Sequence, residues 1–426
     1  MSRNLNAKDA TRNASRARAH RTFTSIIVLS FASIFLVLFS NCGSPKSASS
    51  SAAPVGASAG GVNVMPVTVG QGCGYVNEPC VTVTICVPGT SNCQTISNVL
   101  LDTGSYGLRL FSQVVTIPLT NVTDPSVSGN TLAECVSYAD GSSDWGPLAK
   151  ADIQLAANET ASNVSIQIIK STFATAPSTC TNMDTSPTDN QFNGILGVGL
   201  AIQDCGTACE ASTTSSNANN GIYFTCTAAG SCKGSVVSGA LQVSNPVASL
   251  PVDNNGVILQ LPLLPGNQAS QALGSLFFGI GTQSNNNIGS PTVFPADAYA
   301  NFTTVFNGVT SNTSFIDSGS NMLFFADSAI AKCSSSLPDF YCPGSELTLS
   351  ATQKGASGSA SMNVSFNIGN ANNELSASGV MAFSDLGMYT SSSDFDWGLP
   401  FFFGRTIYVG IEGKKSPLGT GPYWAY

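Results

Sequence analysis

The feature that most constrains the fold is a short motif that occurs twice. Residues 102–105 read Asp-Thr-Gly-Ser and residues 317–320 read Asp-Ser-Gly-Ser, and an apolar stretch precedes each copy. Further along each half, at similar distances, come an apolar stretch and a glycine, Gly197 in the first half and Gly404 in the second. One such motif could be an ordinary turn, but two copies in matching contexts predict an internal duplication.

The two motifs predict a pair of carboxyl groups on facing loops. Glycine lets the chain turn tightly after each aspartate, and we expect the hydroxyl residue beside each aspartate to hydrogen-bond the opposite loop. The serine that ends each motif can hydrogen-bond its own carboxylate. Because two carboxyl groups this close cannot both ionise easily, they share one proton and can activate a water molecule. The predicted catalytic residues are Asp102 and Asp317, and the predicted supporting residues are Thr103, Gly104, Ser105, Ser318, Gly319 and Ser320.

The composition favours a fold built mainly from strands. Only 9% of the residues are charged, and polarity comes from Ser, Thr, Asn and Gly among frequent Val, Ile and Phe. This mixture is typical of short strands joined by turns. We therefore predict an all-β chain with few short helices, one of them at residues 327–333. Two β lobes, residues 62–250 and 251–426, would carry one aspartate each.

The first 42 residues have the pattern of an export signal. Basic side chains precede an apolar run at residues 23–39, which is short for a membrane span. Cys42 resembles the lipidated cysteine of a bacterial lipoprotein, and residues 43–61 form a tether rich in Ser, Ala and Gly. We predict export and a lipid anchor at the periplasmic or outer face of the outer membrane. A plain signal peptide cleaved nearby and an uncleaved anchor are the alternatives.

The cysteines predict a disulfide-rich exported protein. The chain has 13 cysteines, and an even number remains once Cys42 is assigned to the anchor. In an oxidising compartment these predict up to six disulfides. Clustered cysteines could also bind zinc, but the Cys-x-x-Cys spacing is absent, so we predict neither a metal nor a cofactor. The predicted pairs are Cys73 with Cys80, Cys86 with Cys93, Cys135 with Cys180, Cys205 with Cys209, Cys226 with Cys232, and Cys333 with Cys342.

The absence of histidine beyond the export signal narrows the chemistry. The single histidine, His20, precedes the predicted mature chain. Ser-His-Asp and Cys-His catalysis and histidine-ligated metal sites are therefore excluded there, and carboxylates remain as the acid and base groups. The chain has a net charge of −8, which argues against nucleic-acid binding.

Several segments resemble pepsin-like (retropepsin-related) aspartic peptidases across most of the predicted mature chain. Residues 138–143 are similar to the flap hairpin of that family, and residues 192–199 to the segment beneath the first active-site loop. Residues 274–280 and 402–409 are similar to the strand that opens the second lobe and to the second glycine segment with the last strand. The resemblance implies a bilobal acid-protease fold with pseudo-twofold related lobes. It assigns the catalytic pair to Asp102 and Asp317.

The resemblance also assigns a flap and shows one departure. The flap residues would be Tyr138, Asp140 and Gly141. The family has a tryptophan seven residues after the first aspartate, where this chain has Arg109, and Trp145 is a candidate replacement. The cysteine-dense loops and the lipoprotein-like start also resemble an uncharacterised bacterial lipoprotein family, a domain of unknown function.

The expected function is hydrolysis of peptide bonds by an exported, monomeric aspartic endopeptidase that takes peptides or unfolded proteins. One alternative is a catalytically silent envelope lipoprotein that binds peptide or carbohydrate in its cleft. Glycoside hydrolysis also uses two carboxylates, but it does not explain the matching motifs.

Of the other acidic and aromatic residues, Asp140, Asp144 and Asp396 are predicted to lie in turns or at the surface. Trp397 and residues 401–403 are predicted to lie in the core.

Overall fold

The computed structural model describes residues 53–156, 159–210, 220–334, 337–358 and 360–426. The predicted export signal, the lipidation site Cys42 and most of the tether lie outside these residues. Within them, no helix has both the length and the apolar character needed to cross a membrane. The described chain is mainly β, as predicted.

Strands account for most of the regular structure. The strands up to residue 210 are β1 (Val55–Gly56), β2 (Val64–Gly70), β3 (Pro79–Cys86), β4 (Cys93–Asp102), β5 (Tyr106–Phe111), β6 (Thr120–Asn121), β7 (Thr131–Ser137), β8 (Ser143–Ala156), β9 (Glu159–Ile169) and β10 (Gly194–Val198). Those from residue 220 to 325 are β11 (Tyr223–Cys226), β12 (Cys232–Gly234), β13 (Gly256–Gln260), β14 (Gln268–Ala269), β15 (Gln271–Phe278), β16 (Val293–Pro295), β17 (Phe302–Phe306), β18 (Val309–Ile316) and β19 (Leu323–Phe325). The remaining strands are β20 (Leu347–Lys354), β21 (Ser361–Ile368), β22 (Ala382–Phe383), β23 (Gly387–Tyr389), β24 (Asp396–Trp397), β25 (Thr406–Gly410), β26 (Lys415–Ser416), β27 (Gly419–Thr420) and β28 (Tyr423–Ala425).

The helices are short. Two single-turn α-helices are described, α1 (Pro187–Asn190) and α2 (Ala371–Glu374). Short 3₁₀ turns occur at Gly206–Cys209, Pro246–Ser249, Pro265–Asn267 and Leu399–Phe402. The helix predicted at residues 327–333 is wrong: Asp327 Oδ1 accepts a hydrogen bond from the Ala329 amide and closes a turn instead.

The strands form one large and one smaller sheet, with two further strand pairs. The large sheet has 17 strands and joins β1–β13 to β15, β16, β25 and β28. The smaller sheet has seven strands, all from the second half of the chain, in the order β21-β20-β17-β18-β24-β19-β23. The second half thus has its own sheet and also adds strands to the sheet of the first half.

Each half contains the same three-strand arrangement around its motif. In the first half, β10 lies between β4, to which it runs parallel, and the antiparallel β5, with Gly197 opposite Asp102. In the second half, β24 lies between β18, to which it runs parallel, and the antiparallel β19. Both motifs therefore follow the end of a strand that is paired with a later, parallel segment.

The glycine that corresponds to Gly197 is Gly398, so the prediction of Gly404 is wrong. Trp397 lies opposite Ile316 in the parallel pair, which brings the next residue, Gly398, beside Asp317. An added Cβ would lie 1.9 Å from the Met322 carbonyl oxygen at Gly398 and 2.5 Å from the Tyr106 nitrogen at Gly197. Only glycine fits either place. Gly404 lies elsewhere, where its amide donates to the Leu261 carbonyl.

Apolar side chains fill the interior on both sides of the motifs. In the second half, rings pack edge-on and stacked around Phe395, whose ring centroid is 4.4 Å from that of Trp397. Trp397 and the three phenylalanines at residues 401–403 are buried, which confirms their prediction as core residues.

Six disulfides join the predicted pairs. Five of them close loops of fewer than ten residues, and the sixth joins Cys135 of β7 to Cys180, 45 residues later. This longer link fastens the hairpin formed by β7 and β8 to the segment that precedes α1.

Candidate active site

The two motifs lie face to face in the interior. A Cβ atom added to Gly104 would lie 2.6 Å from Asp317 Cγ, and one added to Gly319 would lie 2.8 Å from Asp102 Cγ. Each glycine therefore leaves the space that the aspartate of the opposite loop occupies. Neither aspartate has any exposed surface (0%).

Reciprocal hydrogen bonds fasten the two loops. The Thr103 amide donates to Ser318 Oγ (3.1 Å), and the Ser318 amide donates to Thr103 Oγ1 (2.9 Å). Each hydroxyl then donates to a carbonyl of the opposite strand, Thr103 to Ile316 (3.0 Å) and Ser318 to Leu101 (2.8 Å). The four bonds repeat the same pattern in both directions, so a local twofold relation holds between the loops.

Each carboxylate accepts hydrogen bonds from its own motif. Asp102 accepts from the Gly104 amide (2.7 Å) and from Ser105 Oγ (2.6 Å). Asp317 accepts from the Gly319 amide (2.8 Å), and Ser320 Oγ lies 3.0 Å from its second oxygen. The structure thus brings together all eight motif residues that the sequence singles out.

Burial and neighbouring charge act on Asp317. Burial is the largest cause that raises the pKa of Asp317 well above its usual range, followed by the negative charges of Asp102 and Asp396. A hydrogen bond between the Asp102 and Asp317 side chains adds to the effect. Asp317 therefore holds a proton at pH values where an exposed aspartate is ionised.

Asp396 is a site residue that the sequence analysis missed. It is 8% exposed, and its Oδ2 lies 2.6 Å from Ser320 Oγ, so the prediction of a turn or surface residue is wrong. The error follows from the choice of Gly404 over Gly398. Aligning residues 396–398 with residues 195–197 would have placed Asp396 two residues before the second glycine, beside the motif.

The predicted flap residues lie at the turn between β7 and β8. The Gly141 amide donates to the Tyr138 carbonyl, and Gly141 has a φ of +83°, which glycine adopts without strain. Asp140 accepts from the Ser142 amide (2.8 Å), as expected of a turn residue. Tyr138 itself is 3% exposed and packs among apolar side chains that include Ile195 of β10.

The partner of the Tyr138 hydroxyl is a carboxylate rather than Trp145. Tyr138 donates to Asp144 Oδ2 (2.6 Å), and Asp144 has no exposed surface, so its prediction as a turn or surface residue is also wrong. Trp145 points elsewhere: its Nε1 donates to the Ala174 carbonyl and its ring packs edge-on against Phe224.

Arg109, seven residues after Asp102, is 1% exposed. Its Nη2 is 2.9 Å from Glu134 Oε1 and 2.8 Å from Asp204 Oδ2. Burial lowers the pKa of Arg109, but the negative charges of Glu134 and Asp204 raise it well above its usual value. Burial and the charge of Glu134 raise the pKa of Asp204. A buried cluster of charged groups therefore lies beside the hairpin.

A second feature that the sequence analysis missed is the loop closed by the first disulfide, residues 73–80. The Asn77 side-chain amide donates to the carbonyls of Asn321 and Phe383, while Tyr75 packs against the cluster that contains Tyr138. The neighbouring Val76 packs against an apolar cluster of the second half. This loop therefore contacts both halves next to the second motif.

Among the described residues, no group of three or more His, Cys, Asp or Glu side chains is arranged to hold a metal ion. The carboxyl groups of the site have hydrogen-bond donors from their own loops, as set out above. The two facing carboxyl groups can exchange protons with a small polar molecule.

One family comparison covers the site. A family described as "Protein of unknown function (DUF3443)" matches residues 59–426. A search of curated proteins found no match to the chain.

Proposed function

The chain belongs to this family of unknown function, and we propose that it is an aspartic endopeptidase with a two-lobed, pepsin-like fold. The observation that carries the proposal is the reciprocal hydrogen bonding between Thr103 and Ser318, which sets two aspartates face to face. An ordinary pair of turns would not need four matching bonds across 215 residues of chain. Residues 62–250 and 251–426 would form the lobes, supported by the matching strand arrangement around each motif.

The proposed reaction is the direct attack of water on a peptide carbonyl. Asp102 takes a proton from the water as its oxygen bonds to the carbonyl carbon, and Asp317 gives its proton to the carbonyl oxygen. Collapse of the tetrahedral intermediate breaks the carbon–nitrogen bond as the proton held by Asp102 passes to the leaving nitrogen and Asp317 takes a proton back from a hydroxyl of the intermediate, which restores both carboxyl groups to their starting state. The raised pKa of Asp317 supports its role as the acid. No covalent bond to the enzyme is formed.

Access to the pair requires movement. Both carboxylates are fully buried, so a peptide can reach them only when a neighbouring segment opens. The β7–β8 hairpin suits this role because its turn at Ala139 and Gly141 is exposed, while Cys135 is fastened to Cys180 farther down the strand. Tyr138, Asp140 and Gly141 would then form the tip of the flap.

The proposed setting is the bacterial cell envelope. Six disulfides suit an exported protein, because such bonds persist in oxidising compartments. A lipid anchor at Cys42 would hold a monomeric enzyme at the outer membrane, where peptides or unfolded proteins would be its substrates. The low proportion of charged residues (9%) and the negative net charge suit neither nucleic acid nor an anionic surface as a partner.

The experiment is a digestion of denatured protein between about pH 3 and pH 7, with new termini identified by mass spectrometry. Wild-type protein should produce new termini, and Asp102→Asn and Asp317→Asn should each abolish them while leaving the circular dichroism spectrum unchanged. Cleavage that survives either change, or no cleavage by correctly disulfide-bonded wild-type protein at any pH, would refute the proposal.

The burial of the pair favours one alternative. Because neither carboxylate is exposed, the chain could instead be a catalytically silent envelope lipoprotein that binds peptide or carbohydrate between its halves. In that case the same digestion would yield no products, and ligand binding would not require either aspartate.

A further inference from the structure

The hydroxyl of Ser320 lies between two carboxyl groups. Its Oγ is 3.0 Å from Asp317 Oδ2 and 2.6 Å from Asp396 Oδ2. A hydroxyl has a single proton to donate, so only one of these contacts can use it. The other contact is a hydrogen bond only if a carboxyl group supplies the proton. The proton that Ser320 gives to one carboxyl group is therefore not available to the other.

The first motif has a different neighbour at the same place. Its serine, Ser105, donates to Asp102 (2.6 Å). The strand position that corresponds to Asp396 is Ile195, because Ile195 lies opposite Leu100 and Asp396 lies opposite Phe315, each two residues before its aspartate. An acid therefore stands in the second half where the first half has an apolar side chain. Asp102 and Asp317 therefore have equivalent backbone positions, but only Asp317 has a further carboxyl group beside its motif.

We propose that Asp396 is a positioning residue that keeps the shared proton of the pair on Asp317 and so leaves Asp102 as the base. The proposal deepens the proposed peptidase function and rests on it for its catalytic meaning. Ser320 donates to Asp396 across the shorter contact, so its proton does not stabilise an ionised Asp317 across the longer one. A negative Asp396 then opposes ionisation of Asp317 more than that of Asp102.

The surroundings make the charge of Asp396 effective. It is 8% exposed, and the residues opposite it on the two adjacent strands are Phe315 and Phe324, which carry no charge. The ionisable groups whose charges act on Asp317 are Asp102 and Asp396, and both raise its pKa in addition to burial. Charges separated by low-dielectric surroundings interact more strongly than in water, so removing one should be measurable.

The test compares Asp396→Asn with a matched control, Asp394→Asn. Asp394 is two residues away and accepts a hydrogen bond from the Thr313 hydroxyl at a partly exposed site. The readout is the infrared band of the protonated carboxyl group, assigned by its loss in Asp317→Asn and followed as a function of pH. Asp396→Asn should lose this band at a pH lower by about one unit or more, while Asp394→Asn should titrate like the wild type.

The alkaline limb of kcat/KM against pH should move with the band. If Asp396→Asn fails to fold, Asp396→Leu gives the strand the apolar character of Ile195 and should show the same shift. An unshifted band in a folded variant overturns the role of Asp396, even when the wild type cleaves peptides. A shifted band in a protein without peptidase activity supports the role of Asp396 and refutes the peptidase function instead.

Discussion

Replacement of Arg109 by methionine should destabilise the protein in a strongly pH-dependent manner. Arg109 is the positive partner of Glu134 and Asp204, and all three side chains are at least 96% buried. Methionine preserves much of the apolar volume but leaves a buried carboxylate without its counter-charge. The change therefore separates the contribution of charge from that of packing.

The magnitude follows from the burial. Removing one partner of a buried ion pair costs about 3–5 kcal/mol. Unfolding entropy is about 2.1 cal/mol/K per residue, so a chain of 426 residues has a value of about 0.9 kcal/mol/K, and Tm should fall by about 3–6 °C at neutral pH. Near pH 3.5 the loss should shrink to about half or less, because Asp204, whose pKa burial already raises, takes up a proton as the pH falls and no longer needs a counter-charge.

The assay is thermal unfolding followed by circular dichroism at both pH values. The control is Arg405→Met, because Arg405 donates to the carbonyls of Phe401 and Ser365 and lies over the Phe401 ring. Its loss should cost about 1–2 kcal/mol, equally at both pH values. If Arg109→Met lowers Tm by the same amount at both pH values, the ion-pair account of this cluster is refuted.

Two further substitutions test the reciprocal hydrogen bonds between Thr103 and Ser318 and the acidic pair Glu374 and Asp385. Thr103→Val removes a hydroxyl that hydrogen-bonds the opposite loop, so the free energy of unfolding in urea should fall by about 2–3 kcal/mol. Thr103→Ser keeps the hydroxyl and should stay within about 1 kcal/mol of the wild type. Equal losses in the two variants would show that these hydrogen bonds do not hold the loops together. Burial and the charge of Asp385 raise the pKa of Glu374 to about 8 in the folded protein, compared with about 4.5 in the unfolded chain. The folded state therefore binds a proton that the unfolded state releases between these two pH values. This contribution to stability is complete below about pH 4.5 and is lost as the pH rises towards 8. Glu374→Gln should flatten this decline in the urea midpoint, and an unchanged pH dependence would show that the pair does not share a proton.

The backbone of the site was largely predictable from the sequence. Glycine after aspartate, with hydroxyl residues on either side, is a local pattern whose geometry follows from the residue types alone. Its duplication made the facing arrangement of Asp102 and Asp317 an expectation, and the two loops do face each other. The cysteine pairs were predictable because five of the six lie close in sequence.

The charged neighbours of the site were not predictable because their environment depends on distant strands. Aspartate is usually exposed, so sequence alone assigns Asp144 and Asp396 to turns or the surface. Their burial depends on how the strands pair. Aligning Gly398 with Gly197 places Asp396 beside the second motif, whereas aligning Gly404 with Gly197 does not. The environment of Arg109 likewise depends on Asp204, 95 residues away.

The direct test of the central claim, that Asp102 and Asp317 act as one site, is a calorimetric titration with a statyl peptide near pH 4, where about one proton is expected on the pair. The statyl hydroxyl mimics the tetrahedral intermediate, so wild-type protein should bind one molecule per chain and release or take up a fraction of a proton. Asp102→Asn and Asp317→Asn should each abolish this binding without altering the unfolding transition by more than about 1 kcal/mol. Binding that persists in both variants, or no binding by the wild type at any pH, would contradict the claim.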